Sequence, residues 1–343
     1  MAATWLDVRA EKAMLGALLL RPEQLQNVKP WLRASDFFGA HHQLIFNTID
    51  ALISAQPDIS VEQLATDVYE RLAPYGIDVL QLHSLMETCP QPGHAVYYGH
   101  MVVEADARRA VARYTARLAE TIELVKDGRG ELSDVLDIAT HLGQQARVLK
   151  ARTLSQNEPA DVQLPRPPVR HPSPERISHD ERLLTVLINN PRDIPEVASL
   201  LNASDLATPF AGRLYDLLLS MRDSGTAVDI LTVMWAGRRA QILDAGDASS
   251  EDFFQRFNKR PLDSAVVLAA KIQQAATLHH AATVAGTLIA ALADHSVPTA
   301  HILHLATSQV DDLQQRHRRH TTAYQPPDDP TPTPPAERRA STI

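Results

Sequence analysis

An all-α fold, arranged as two tandem helical bundles joined by a Pro-rich linker, is what the sequence predicts. Three observations carry this. Aromatic residues are only 5% of the 343 residues and glycines number 13, so the cores must come from Leu, Val, Ile and Ala, a mixture that favours helix. Apolar residues recur with helical spacing, and no stretch alternates with the period of a strand. Finally, the tripeptide Ala34-Ser35-Asp36 returns as Ala203-Ser204-Asp205, 169 residues later. At that offset Leu15 falls on Leu184, Leu18 on Leu187, Pro22 on Pro191, Val28 on Val197, Leu32 on Leu201 and Phe46 on Tyr215. The apolar phase holds without a gap over about 50 residues, which points to an internal duplication.

Each bundle is expected to hold a globular helical part and an antiparallel helical hairpin. Met14, Leu15, Leu18 and Leu19 share one helix face. Pro22 suits the first position of a second helix, where its missing N–H costs nothing; that helix buries Leu25, Val28, Trp31 and Leu32. Ser35 is expected to offer its hydroxyl to the N–H groups of a short turn. Ile45, Ile49, Leu52 and Ile53 line a third helix. "SVEQ" at Ser60 reads as a capping box, and Asp229 stands at the matching position of the second copy. A long helix is predicted over Ala95–Lys126 and another over Glu131–Lys150, folded back across a turn holding Gly128 and Gly130. Ala265–Ala293 and Thr299–Gln315 repeat the pattern across "DHSVP". The expected boundaries are 1–150 for the first domain, 151–176 for a flexible linker and 177–317 for the second domain. A Pro-rich disordered tail is expected over 318–343. Six prolines between Ser155 and Pro174, and six more after Tyr324, block helix in the linker and the tail.

The charge balance narrows the function. A net charge of −8 argues against a protein that holds nucleic acid mainly by neutralising phosphates. The one cysteine, Cys89, can form neither an internal disulfide nor a cysteine zinc site, which fits a reducing cytoplasm. The N-terminus lacks a signal pattern, and no apolar run reaches the ~18 residues a membrane helix needs.

Chemistry-bearing motifs are missing as well. A P-loop needs a Gly-rich turn followed by Lys and Ser or Thr, and none of the 13 glycines precedes a lysine. No catalytic residue, cofactor site or metal site is predicted. His301 and His304 lie one helical turn apart, and His41-His42 and His279-His280 are adjacent pairs, but no Glu or Cys at a matching spacing completes a ligand set. The basic run "QQRHRRH" places Arg316, Arg318 and Arg319 at an expected helix end, where the helix dipole favours cations. It is also the sequence's one hint of contact with DNA.

The first copy resembles the N-terminal domain of the bacterial replicative DNA helicase DnaB. The resemblance rests on Leu15-Gly16, Leu18 to Leu20, Asp36-Phe37, His42 and Ile45-Phe46, then on Tyr97-Tyr98, Val102-Val103 and Arg108-Arg109. The second copy keeps Leu184, Leu187, Asp205, Leu214 and Tyr215. It has Thr185 for the glycine, Leu206 for the phenylalanine and Val267-Leu268 for the tyrosine pair.

The resemblance implies an all-helical domain whose hairpins pair between subunits into a collar that receives primase. ATP hydrolysis in that family belongs to a separate RecA-like domain. The expectation is therefore a non-enzymatic interaction module tied to replication, partnered by replicative helicase or primase, or by its own kind through the hairpins. A non-motor component of a split helicase, or a DNA-binding regulator, is the alternative. Tyr97, Tyr98, Val102 and Arg109 are the expected contact residues on the hairpin's exposed side, unless the tyrosines pack on their own domain.

Overall fold

The computed structural model describes residues 4–153, 171–243, 247–259 and 262–323. Most of the expected linker (154–170) and tail (324–343) lies outside these residues. Among the described residues the regular elements are all helical: fourteen α-helices and a few 3-10 turns, with no strand. The chain forms two compact units, Met1–His171 with Thr277–Gln314, and Pro172–Ala276 with Gln315–Ile343.

In the first unit the order is α1 (Trp5–Leu20), α2 (Leu25–Val28), α3 (Ala40–Ala55), α4 (Val61–Leu72), α5 (Val79–Thr88), α6 (Ala95–Lys126) and α7 (Leu132–Arg152). Thr4 and Asp7 cap α1 reciprocally. Met14, Leu15, Leu18 and Leu19 are fully buried, so α1 is the central rod of the globular part. Its Gly16 lets α5 press against it: a Cβ there would lie 2.1 Å from the Leu85 carbonyl oxygen.

Two capping expectations change. Ser35 makes no cap; the turn Ala34–Asp36 is closed by Asp36, whose carboxylate accepts from the Arg33 N–H at 2.8 Å. A carboxylate three residues on reaches back where the shorter Ser35 hydroxyl does not. Ser60 does cap α4 through the Gln63 N–H (3.2 Å). The Gln63 side chain, however, turns to Asp67 (2.9 Å) instead of closing the box.

The second unit begins with α8 (Pro174–Asn189), α9 (Ile194–Leu200), α10 (Pro209–Asp223), α11 (Ile230–Arg239) and α12 (Asp247–Phe257). Ser173 and Thr208 cap α8 and α10, each with proline at the first helical position. Tyr215 is fully buried and donates to the Leu201 carbonyl at 3.3 Å, which satisfies the hydroxyl that Phe46 lacks. Asp229 caps α11 and Thr232 returns the bond.

The last helices are α13 (Ala265–Ala293) and α14 (Thr299–Ala323). α14 runs eight residues beyond the expected Gln315. The compact units therefore do not follow 1–150 and 177–317: the second copy's hairpin, from Thr277 to Gln314, belongs to the first unit. α13 explains this. It is apolar around most of its circumference and, by length and composition, apolar enough on average to cross a membrane, although Lys271, Gln273, Gln274, His279 and His280 interrupt any continuous apolar run. A helix of that kind needs burial on more than one side. Its stretch from Ala281 to Leu292 finds this in a core shared with α6, α7 and α14.

Candidate interaction site: the paired hairpins

The hairpin of α6 and α7 turns at Gly128, whose φ of +73° is open to glycine at no steric cost. The Arg129 N–H reaches back to the Leu124 carbonyl (2.9 Å) and closes the helix end. The hairpin of α13 and α14 turns differently. Asp294 accepts from the Ser296 N–H (2.9 Å) and hydroxyl (2.6 Å), which holds the bend without a glycine.

Within the first unit these hairpins share one apolar core. Val111, Leu118 and Ile122 of α6 and Leu142 and Ala146 of α7 meet Val284 and Leu288 of α13 and Ile302 and Val310 of α14. Small residues set the spacing: a Cβ on Gly143 would lie 2.9 Å from Val310 Cγ1, so α7 and α14 pack in direct contact there. Polar bonds fix the register. Arg108 donates to the carbonyls of Val297 (2.8 Å), Asp294 (3.2 Å) and Leu292 (3.4 Å), putting a cation where α13 ends. Gln314 donates to the Thr140 hydroxyl (2.8 Å), and Arg147 pairs with Asp311.

The hairpin of the first copy is also bolted to its own globular part at the Ala34–Asp36 turn. Arg152, at the end of α7, donates to the Asp36 carboxylate (2.6 Å) and the Trp31 carbonyl (3.0 Å). Arg109 of α6 donates to the Asp36 carbonyl at 2.7 Å. In the second copy Leu278 stands where Arg109 does, and the Asp205 carbonyl is met by Arg176 of α8 at 3.4 Å. The second turn thus also meets an arginine, this one from the first helix of its own copy.

A second parallel escaped the sequence reading. Glu11 is buried on α1 and accepts from the Phe38 N–H (2.6 Å), with His42 Nδ1 at 2.7 Å. At the same offset Asp180 is buried on α8 and accepts from the Ala207 N–H at 2.6 Å. Burial pushes the Asp180 carboxyl up to about 6, against the lowering effects of the Ala207 N–H and Arg176. The signal was present: an acid at the same repeat position, on the apolar face of each copy's first helix.

The four expected contact residues separate. Tyr97 is 67% exposed, with its ring edge-on to His94. Tyr98 packs partly against the globular core. Val102 and Arg109 are buried, contrary to expectation, because this part of α6 lies against the globular part before it joins the hairpin core. Arg316, Arg318 and Arg319 sit within α14 and not at its end; the Arg318 side chain is exposed, and that of Arg319 lies outside the described residues. Cys89 is buried, and burial raises its thiol pKa, as suits an inert packing residue.

The profile of the DnaB-like helicase N terminal domain matches residues 6–104 and 173–257 of the chain, more than half of its length. Among curated proteins the chain is similar to the replicative DNA helicase DnaB of Mycobacterium leprae, 26% identical over 148 residues. That match covers 38% of this chain and 24% of the helicase. The DnaB of Leifsonia xyli is 26% identical over 140 residues, 38% of this chain and 30% of the relative. The DnaB of Treponema pallidum is 32% identical over 109 residues, 31% of this chain and 25% of the relative. The chain thus spans well under half of each relative's length. No solved structure matches it.

Proposed function

Because the chain belongs to the DnaB-like helicase N-terminal domain family, we propose that it is a non-catalytic assembly module connected with DNA replication, with two copies of the domain and their hairpins paired inside one chain. The observation that carries this reading is the shared apolar core of α6, α7, α13 and α14. A hairpin face that is expected to receive a neighbouring subunit is here covered by the chain's own second hairpin. The arrangement makes a pre-assembled pair whose remaining surfaces are free for a replicative helicase or a primase. Tyr97 is the proposed contact residue that remains exposed. The absence of any Gly-Lys-Ser/Thr step in these residues supports the non-catalytic part.

Size-exclusion chromatography with light scattering tests the proposal, using the chain alone and mixed with the replicative helicase and the primase of the same organism. Co-elution with either is expected, and Tyr97→Ala should weaken it. Failure of the folded chain to bind either one would overturn the partner assignment. ATP hydrolysis by the purified chain would overturn the non-catalytic one.

A further inference from the structure

The second unit carries an apolar stripe that the first copy lacks. Leu231 and Trp235 stand four residues apart on α11, 65% and 68% exposed. At the 169-residue offset their counterparts on α4 are Glu62 and Thr66, which are also exposed. The same helical face meets solvent in both copies, but its chemistry has changed from polar to apolar. An isolated exposed leucine needs no explanation, whereas an indole beside a leucine, in place of a carboxylate and a hydroxyl, makes a surface that gains from being covered. Both line a groove together with Thr226, Thr232 and Arg239, and Arg239 makes no ion pair among the described residues.

We propose that this groove docks the chain's own C-terminal segment, 324–343. The segment reads "YQPPDDPTPTPPAERRASTI". Pro-rich segments bind aromatic-lined grooves at low entropic cost, because their extended helix is largely preformed. Pro326 and Pro327 supply rings for the Trp235 indole, and Asp328 and Asp329 supply charge for Arg239. The segment follows directly from α14, and from Gln315 onward that helix belongs to the same compact unit as α11. At ~3.1 Å per residue the segment reaches about 60 Å, several times the radius of a domain of this size. Tethering supplies an effective concentration on the order of millimolar, so a contact too weak to hold a free peptide suffices to hold the tethered one.

Incorporation of 5-fluorotryptophan into the full chain gives one fluorine resonance for each of its three tryptophans. Trp235→Phe identifies the Trp235 resonance. In the full chain carrying Pro326→Ser, Pro327→Ser, Asp328→Ser and Asp329→Ser, the Trp235 resonance should shift while those of Trp5 and Trp31 stay put. The same shift should persist on dilution, and Arg239→Gln should move the wild-type resonance part of the way. An unchanged Trp235 resonance in the tail variant overturns the proposal. A shift that vanishes on dilution also overturns it, because the groove would then be covered by a second copy of the chain.

Discussion

A methyl group on Gly16 would sit 2.1 Å from the Leu85 carbonyl oxygen and 3.0 Å from Cys89 Cβ, so α5 must retreat before any side chain fits. Gly16→Val is expected to cost about 3 kcal/mol by this overpacking, read as a shift of the urea midpoint at unchanged slope. The second copy carries Thr185 at this position, with its hydroxyl donating to the Glu181 carbonyl at 2.6 Å. The buried ion pair of Asp36 and Arg152 is a second sensitive point. Arg152→Ala leaves the 1%-exposed Asp36 carboxylate without its cation and should cost roughly 3 kcal/mol. Asp180 supplies a pH dependence. Its carboxyl titrates at about 6 in the folded protein, above the ordinary carboxylate range. The folded state therefore binds more protons than the unfolded state between about pH 4 and 6. The stability it contributes is complete below about pH 4 and lost as pH rises through 6, a change of about 3 kcal/mol. Asp180→Asn keeps an acceptor for the Ala207 N–H, and should flatten that part of the stability profile and leave the protein more stable at pH 7. A variant profile as steep as the wild type's would contradict this origin.

At the scale of the element, the hairpins are the informative part. Most of their helix limits were legible, since Ala95–Lys126 and Ala265–Ala293 emerge as expected and Gly128 turns the first hairpin, while α14 runs on past Gln315. Their partners were not. Apolar periodicity says that a face is buried, but not against what. The contact between Gly143 and Val310 gives a direct test. Gly143→Ala should destabilise the wild-type chain by about 1–2 kcal/mol, because its Cβ meets Val310 Cγ1. In a Val310→Ala background the same change should cost little or become favourable, since alanine is the better helix former. A double-mutant cycle in equilibrium unfolding reads the difference, and strictly additive effects would argue against this packing. Arg108→Gln removes the cation from the end of α13 and should lower stability by about 1–2 kcal/mol.

For the whole molecule, an occupied hairpin core predicts a monomer. Light scattering of the chain alone should give a mass near 37.8 kDa at micromolar concentration, and a stable dimer would mean that the hairpin core does not satisfy the apolar faces by itself. Several features of the protein could be read from the sequence by itself: its helical class, the offset of its repeat, the caps of Ser60 and Asp229, the Gly128 turn and its family resemblance. The helices, caps and turn depend on residues near one another in the chain, and local periodicity and turn chemistry report them; the offset and the resemblance need only one stretch of sequence laid against another. The exposure of Trp235, the burial of Val102 and Arg109, the bonds that Glu11 and Asp180 each make and the regrouping of the hairpins were decided only by the tertiary structure. Each depends on which distant surface covers a given face. A helix that is apolar nearly all round, such as α13, states its need for burial without naming the neighbours that will meet it.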